Sequence, residues 1–456
     1  MAHIFKKIIV WLIASTWFAG TVSAAPRFDT DASFNPASSS FKIAGAKPGE
    51  KLTVVAVRSL PVWRPDASGD WKPQPTQFTA WAEIVADTRG HIDLATAVPI
   101  GGSYLKPDPL GLLWSGYQQG SPKIPESLRA ITSSGPGVEF ILLRGGTQVS
   151  KATIILSPQS SDLRVETVQQ PGLVGVFAAP AGSGKLPTLI VLHGSEGNDI
   201  AKAWANALTY AEQGFATLAV AWYTQSYEPA EHVPTSGHLI DVNQLERARE
   251  WLAMQPEADA KRIGLWGQSK GGEFAMLGAS RFGWVKAAVG CVPSDIVWQG
   301  FGEGENTLPA RSTWMLDGKA LPFVPLFPYK EGRYRDNTDR YERSRRFNPD
   351  AAVAARIPIE QSEAKLLLIA GDRDEVWAAG AMARNLAERM ERAGKGQQVR
   401  SLIFEKAGHG VCGDGSFPVR AYGRDDPDPD RKDLNAEGHA TVEAFRATIS
   451  FLKETL

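Results

Sequence analysis

The chain has 456 residues, with 49 Lys and Arg against 50 Asp and Glu, and a formal net charge of −1 offers no field to draw nucleic acid or another polyanion. Hydrophobic residues make up 43% and charged residues 22%, the balance of a globular chain long enough for two or three domains rather than a disordered or fibrous one. With only two cysteines, Cys291 and Cys412, neither a disulfide scaffold nor a cysteine metal cluster is expected, and no metal or cofactor site is read.

Residues 1–24 start with Lys6 and Lys7, continue through an apolar stretch from Ile8 to Phe18, and end in Val22-Ser23-Ala24. This pattern predicts a secretory signal peptide cut after Ala24, and hence an exported protein, periplasmic or secreted. The stretch is short of the ~20 residues that span a bilayer, and no later apolar run is longer, so no transmembrane segment is expected in the mature chain.

Residues 25–160 alternate apolar and polar positions in Lys51–Val57, Thr79–Val85, Val138–Leu143 and Ala152–Leu156, with Pro, Gly and Asp turns between. Short strands without intervening helices predict an all-β sandwich, ending near Pro158-Gln-Ser-Ser-Asp162. Residues 161–456 change rhythm. Strands are expected at Leu173–Ala178, Thr188–Leu192, Phe215–Trp222, Arg262–Trp266, Val285–Gly290, Leu366–Ala370 and Val399–Phe404, and helices at Ile200–Gln213, Leu239–Met254, Gly271–Phe282, Ala379–Ala393 and Asn435–Thr455. That alternation predicts an α/β fold, a doubly wound, mostly parallel sheet of the α/β-hydrolase kind covered on both faces. Residues 301–350, rich in Pro, Arg and Tyr, interrupt it and are expected to lie over the strand ends.

The strand-to-helix junction Gly264-Leu-Trp-Gly-Gln-Ser-Lys-Gly-Gly-Glu273 places Ser269 between Gly267 and Gly271, the pattern of a nucleophile elbow. In an open α/β sheet, chemistry collects in the loops after the strands. Three such loops carry suitable groups: His193-Gly-Ser-Glu-Gly197, Gly371-Asp-Arg-Asp-Glu-Val-Trp377 and Glu405-Lys-Ala-Gly-His-Gly410. Their order gives serine, acid, histidine. Ser269 is the expected nucleophile, His409 its base, and Asp374 the acid that orients His409, with Asp372 the alternative. Backbone N–H groups of Lys270 and of Ser195 or its neighbour would form the oxyanion hole. His193 is expected to shape its loop, and His91, His232, His238 and His439 sit in no motif and are assigned surface or structural roles. Cys291 ends a strand and Cys412 follows His409, so a disulfide or two buried thiols both remain open.

The chain also resembles one family over its mature length. Ser269–Glu273, Gly371–Trp377 and Ala407-Gly-His409 are similar to the catalytic domain of the acyl-CoA thioesterase and bile acid-CoA:amino acid N-acyltransferase family. Lys47-Pro-Gly49, Gly102-Ser-Tyr104 and Asp108-Pro-Leu-Gly-Leu-Leu-Trp114 are similar to its immunoglobulin-like amino-terminal domain. The resemblance implies an acyl-transfer triad at Ser269, Asp374 and His409 acting on thioesters of long acyl groups, in fatty acid metabolism. It also favours Asp374 over Asp372, and a serine nucleophile, in place of the cysteine of the transferases, implies transfer to water. The sequence therefore predicts a serine hydrolase of acyl thioesters or related carboxylic esters, with a small-molecule substrate. The alternatives are acyl transfer to an amino acid or other acceptor, and a non-catalytic envelope binding protein.

Overall fold

The computed structural model describes residues 25–29, 34–65, 69, 71–133, 135, 137–156, 162–198, 200–225, 229–302, 309–328, 330, 333–421 and 433–456. The expected signal peptide lies outside the described residues, as does the expected domain boundary apart from Asp162.

The amino-terminal sheet is built on a long antiparallel hairpin, β1 (Lys51–Pro65) with β2 (Trp71–Val85), extended by β3 (Val138–Arg144) and β4 (Thr147–Ile154). The period of two sends Leu52, Val54 and Ala56 to one face, against Phe41 and against Ile43 and Ile92 of a small three-stranded sheet, and Val55 and Val57 to the other, against Tyr117, Ile124 and Leu128. The hairpin runs well past the expected strands because Pro61, Pro73 and Pro75 read as breakers. β3 pairs only with residues 53–57 of β1, so the distal ribbon has no third strand that would need the proline N–H groups.

The second sheet has eight strands: β5 (Leu163–Gln170), β6 (Leu173–Pro180), β7 (Leu186–Leu192), β8 (Ala216–Val220), β9 (Ala258–Gln268), β10 (Val285–Cys291), β11 (Lys365–Gly371) and β12 (Val399–Phe404). Their spatial order is β5-β6-β8-β7-β9-β10-β11-β12, parallel throughout except where β6 pairs with β5 and β8. Continuous buried runs such as Leu189–Leu192 and Ile263–Trp266 show that both faces are covered, as an α/β-hydrolase sheet requires. All seven expected strands are present; β5 is additional, and its polar edge sequence, LRVETVQQ, carried too little apolar signal to read.

The longer helices among the described residues are α1 (Ile200–Ala211), α2 (Gln244–Ala253), α3 (Lys270–Arg281), α4 (Asn337–Phe347), α5 (Ala379–Arg392) and α6 (Leu434–Thr455). Two differ from expectation. The helix expected from Leu239 begins only at Gln244, because Ile240–Asp241 pair as a strand with Trp314–Met315. α4, capped by the Asp336 carboxylate on the Asp339 N–H, was hidden in the arginine-rich interruption. Among the described residues no helix is long and apolar enough to cross a membrane, and no cluster of His, Cys, Asp or Glu could hold a metal ion.

Candidate active site

Ser269 sits between the end of β9 and the first turn of α3 with φ 55° and ψ −120°, a backbone conformation a non-glycine residue adopts only under strain. Neighbouring chain approaches too closely for side chains. A β-carbon on Gly267 would lie 2.0 Å from the Gly271 carbonyl oxygen, and one on Gly271 would lie 2.1 Å from that of Leu192. The bend is pinned from below, the Ser269 N–H donating to the Cys291 carbonyl at 2.9 Å.

His409 follows β12, and its Nδ1 lies 2.7 Å from Asp374 Oδ2. The other Asp374 oxygen accepts the N–H groups of Val376 (2.8 Å) and Trp377 (3.1 Å), which fixes the carboxylate in place. Burial disfavours a charged His409 ring, but Asp374, by charge and by hydrogen bond, with Glu375 and Glu196, outweighs it and holds the pKa above the usual histidine value. Asp372 is engaged elsewhere, in a bidentate pair with Arg384 at 2.7 and 2.6 Å. Cys291 and Cys412 are joined as a disulfide with Cα atoms 5.8 Å apart, tying the end of β10, beneath Ser269, to the loop that carries His409. Of the two states left open by the sequence, this is the bonded one.

In the loop after β7, Glu196 Oε1 accepts the Gly194 N–H at 2.9 Å and the Gln268 amide at 2.8 Å. With the Gly194 donor taken, the N–H groups of Ser195 and its neighbour Glu196 remain this loop's candidates for an oxyanion. Lys270 is the first residue of α3, at the helix's positive end. A β-carbon at Gly194 would fall 3.2 Å from Ser269 Cβ and 2.4 Å from Glu196 Oε2, so the loop, its carboxylate and the serine share one locus. Among the described residues no hydrogen bond joins the Ser269 hydroxyl to the His409 ring. His193 is buried, stacked on Trp222 at 4.6 Å, and pushed down to about 3 by burial, so the neutral ring shapes its loop. His439, assigned no motif, pairs with Asp108 at 2.6 Å.

Sequence reasoning missed two carboxylates here. Glu196 was visible only as a charge inside a glycine loop. Glu273, one turn into α3, is fully buried and receives Lys270 Nζ (2.8 Å), Trp314 Nε1 (2.7 Å) and the Trp298 N–H (3.2 Å). Burial raises its carboxyl above the usual range, opposed by Lys270 and these donors. It ties the covering segment after β10 to α3, the helix that follows Ser269. A Ser or Glu in a short motif is visible in sequence; the tryptophans that meet it from 25 and 41 residues away are not.

Residues 240–413 match the family described as BAAT / acyl-CoA thioester hydrolase C terminal, residues 39–151 match the acyl-CoA thioester hydrolase/BAAT N-terminal region, and residues 173–299 match the dienelactone hydrolase family. Acyl-coenzyme A thioesterase 2, mitochondrial, of Rattus norvegicus is 26% identical over 340 residues, 73% of this chain and 69% of that protein. Acyl-coenzyme A thioesterase 1 of Homo sapiens is 26% identical over 346 residues, 73% of this chain and 75% of that protein. Among solved structures, carboxyl esterase 2 of Tuber melanosporum covers 66% of this chain and 89% of its own, at 15% identity and a TM-score of 0.41. With its sandwich and its α/β domain each matching one half of the same family, the chain is a hydrolase belonging to the acyl-CoA thioester hydrolase/BAAT family.

Proposed function

We propose that this chain is a serine hydrolase that cleaves acyl thioesters of the acyl-CoA type, or related carboxylic esters, through an acyl-enzyme on Ser269. The observation that carries the reading is a strained serine at the head of α3 on the same sheet edge as the His409–Asp374 pair. His409, neutral, takes the Ser269 proton as the hydroxyl attacks the acyl carbonyl, while Asp374 holds the ring's tautomer and stabilises the imidazolium. The Ser195 and Lys270 N–H groups stabilise the negative oxygen of the tetrahedral intermediate. The imidazolium then protonates the departing thiol or alcohol. Water, deprotonated by His409, cleaves the oxygen ester by the reverse route, so no acceptor other than water is required.

The names of the relatives favour a thioester of coenzyme A as the substrate class. Export through a signal peptide cut after Ala24 belongs to the same proposal and is supported by the disulfide, a bond of oxidising compartments. The deciding experiment incubates the purified protein with a fluorophosphonate probe and with a panel of p-nitrophenyl esters and acyl-CoA thioesters. Ser269→Ala should abolish labelling and turnover without loss of fold; labelling that persists would sink the assignment. Adding glycine or taurine to the turnover should leave the free acid as the main product by mass spectrometry, and a majority of N-acyl conjugate would establish the transferase reading instead. Amino-terminal sequencing of envelope material should begin at Ala25; a start at Met1 or Ala2 would overturn export.

A further inference from the structure

The amino-terminal motif Asp108–Trp114 takes no part in the chemistry above, yet the structure links it to the catalytic histidine. Asp108 is buried, one oxygen accepting the Leu110 N–H at 2.8 Å and the other meeting His439 Nδ1 on α6 at 2.6 Å. Trp114 lies fully buried edge-on to the same His439 ring, with centroids 4.8 Å apart. It also covers Gly438, where a β-carbon would come within 2.2 Å of the indole. The position of α6 is therefore set against the sandwich by contacts that tolerate neither a larger residue at 438 nor loss of the carboxylate.

The residue before this pair on α6 is Glu437. Its Oε2 accepts the Gly408 N–H at 2.8 Å, on one side of His409, and one turn on the Thr441 hydroxyl, whose single proton is shared between the Glu437 carbonyl at 2.8 Å and the Gly410 carbonyl at 3.2 Å, touches the other side. A histidine between two glycines has a backbone with little preference of its own, and α6 supplies the preference. The strand of loop leaving His409 is held by the sandwich as well. The Val419 N–H donates to the Trp114 carbonyl at 3.0 Å, Arg420 donates to the Ser115 carbonyl at 3.0 Å, and Arg58 bridges the carbonyls of Leu113 and Ser416.

We propose that Glu437 is a positioning residue for His409, and that the Asp108–Trp114 segment of the sandwich acts through it, making the sandwich part of the catalytic apparatus rather than a separate recognition module. The inference rests on the catalytic reading of His409. It deepens that reading, because misplacing a base by ~1 Å through a distant change can cost ~10²-fold in rate without touching the substrate.

The test uses the full-length mature protein, with kcat and KM on a p-nitrophenyl ester, the rate of fluorophosphonate labelling, and thermal denaturation for each variant. Glu437→Ala should lower kcat and the labelling rate by up to ~10²-fold with KM little changed, and Glu437→Gln, whose amide oxygen still accepts from Gly408, should recover most of both. Asp108→Asn, more than 300 residues away in sequence, should lower the same two rates by roughly tenfold, again without moving KM. Unchanged rates in Glu437→Ala, equal losses in the Ala and Gln variants, or losses confined to KM or melting temperature would overturn the proposal. Should Glu437→Ala fail to fold, Asp108→Asn decides, and an unaltered labelling rate there overturns it. His409→Ala, run alongside, separates the two levels. If it retains activity, the catalytic reading itself fails; if it is inactive while the Glu437 and Asp108 variants keep full rates, only the positioning role fails.

Discussion

Asp372 and Asp374 are separated by one residue in the chain and by their partners in space: Arg384 holds the first, and the ring of His409 and two backbone N–H groups hold the second. Only the second can orient the His409 ring. Asp374→Asn should therefore lose up to ~10⁴ in turnover, whereas Asp372→Asn, which breaks a half-exposed ion pair, should lose little. Equal losses would misplace the acid. The raised pKa of His409 gives a pH dependence with a definite sign. The ring acts as base only when neutral, so kcat/KM should fall as pH drops through a value above the ordinary ~6.5. Removing the carboxylate in Asp374→Asn should move that acid limb to lower pH. A wild-type profile flat from about pH 8 to about pH 5 would contradict the role. These residues were legible because each follows an apolar strand run. Spacing alone could not choose between the two aspartates, since a two-residue offset in a loop is decided by which side chain faces the ring.

Among the elements, the elbow shows how little freedom the junction has. Gly271→Ala would press a methyl group into the carbonyl oxygens of Leu192 and His193, 2.1 and 2.3 Å away. Relieving that overlap costs about 1–3 kcal/mol or more and shifts the very loop that offers the Ser195 N–H. A lower melting temperature with a reduced kcat is the expected result, and an unaltered enzyme by both measures would mean the loop moves aside freely. The strands and helices of the α/β domain were readable wherever apolar runs were long. The misread elements have in common that tertiary partners override local pattern: prolines sit in a ribbon whose outer edge nothing pairs, and Ile240–Asp241 are drawn off a helical run by Trp314–Met315. The roles of Glu437 and Glu273 stayed hidden for the same reason, as their partners come from distant segments.

At the scale of the whole molecule, two ties converge on His409, one through α6 from the sandwich and one through Cys412 from the floor of the nucleophile turn. The disulfide closes a span of 121 residues, a constraint worth about 2–5 kcal/mol in proteins. Reduction should accordingly lower the melting temperature and, because Cys412 lies three residues beyond His409, slow acylation of Ser269 as well. Fluorophosphonate labelling before and after treatment with a thiol reductant measures both claims, and identical labelling rates would confine the bond to stability. For a chain exported as proposed, this sets a clock on competence. Under that proposal the chain in a reducing cytosol would hold Cys291 and Cys412 as thiols, and the tie between the Ser269 turn and the His409 loop would form only on oxidation after export.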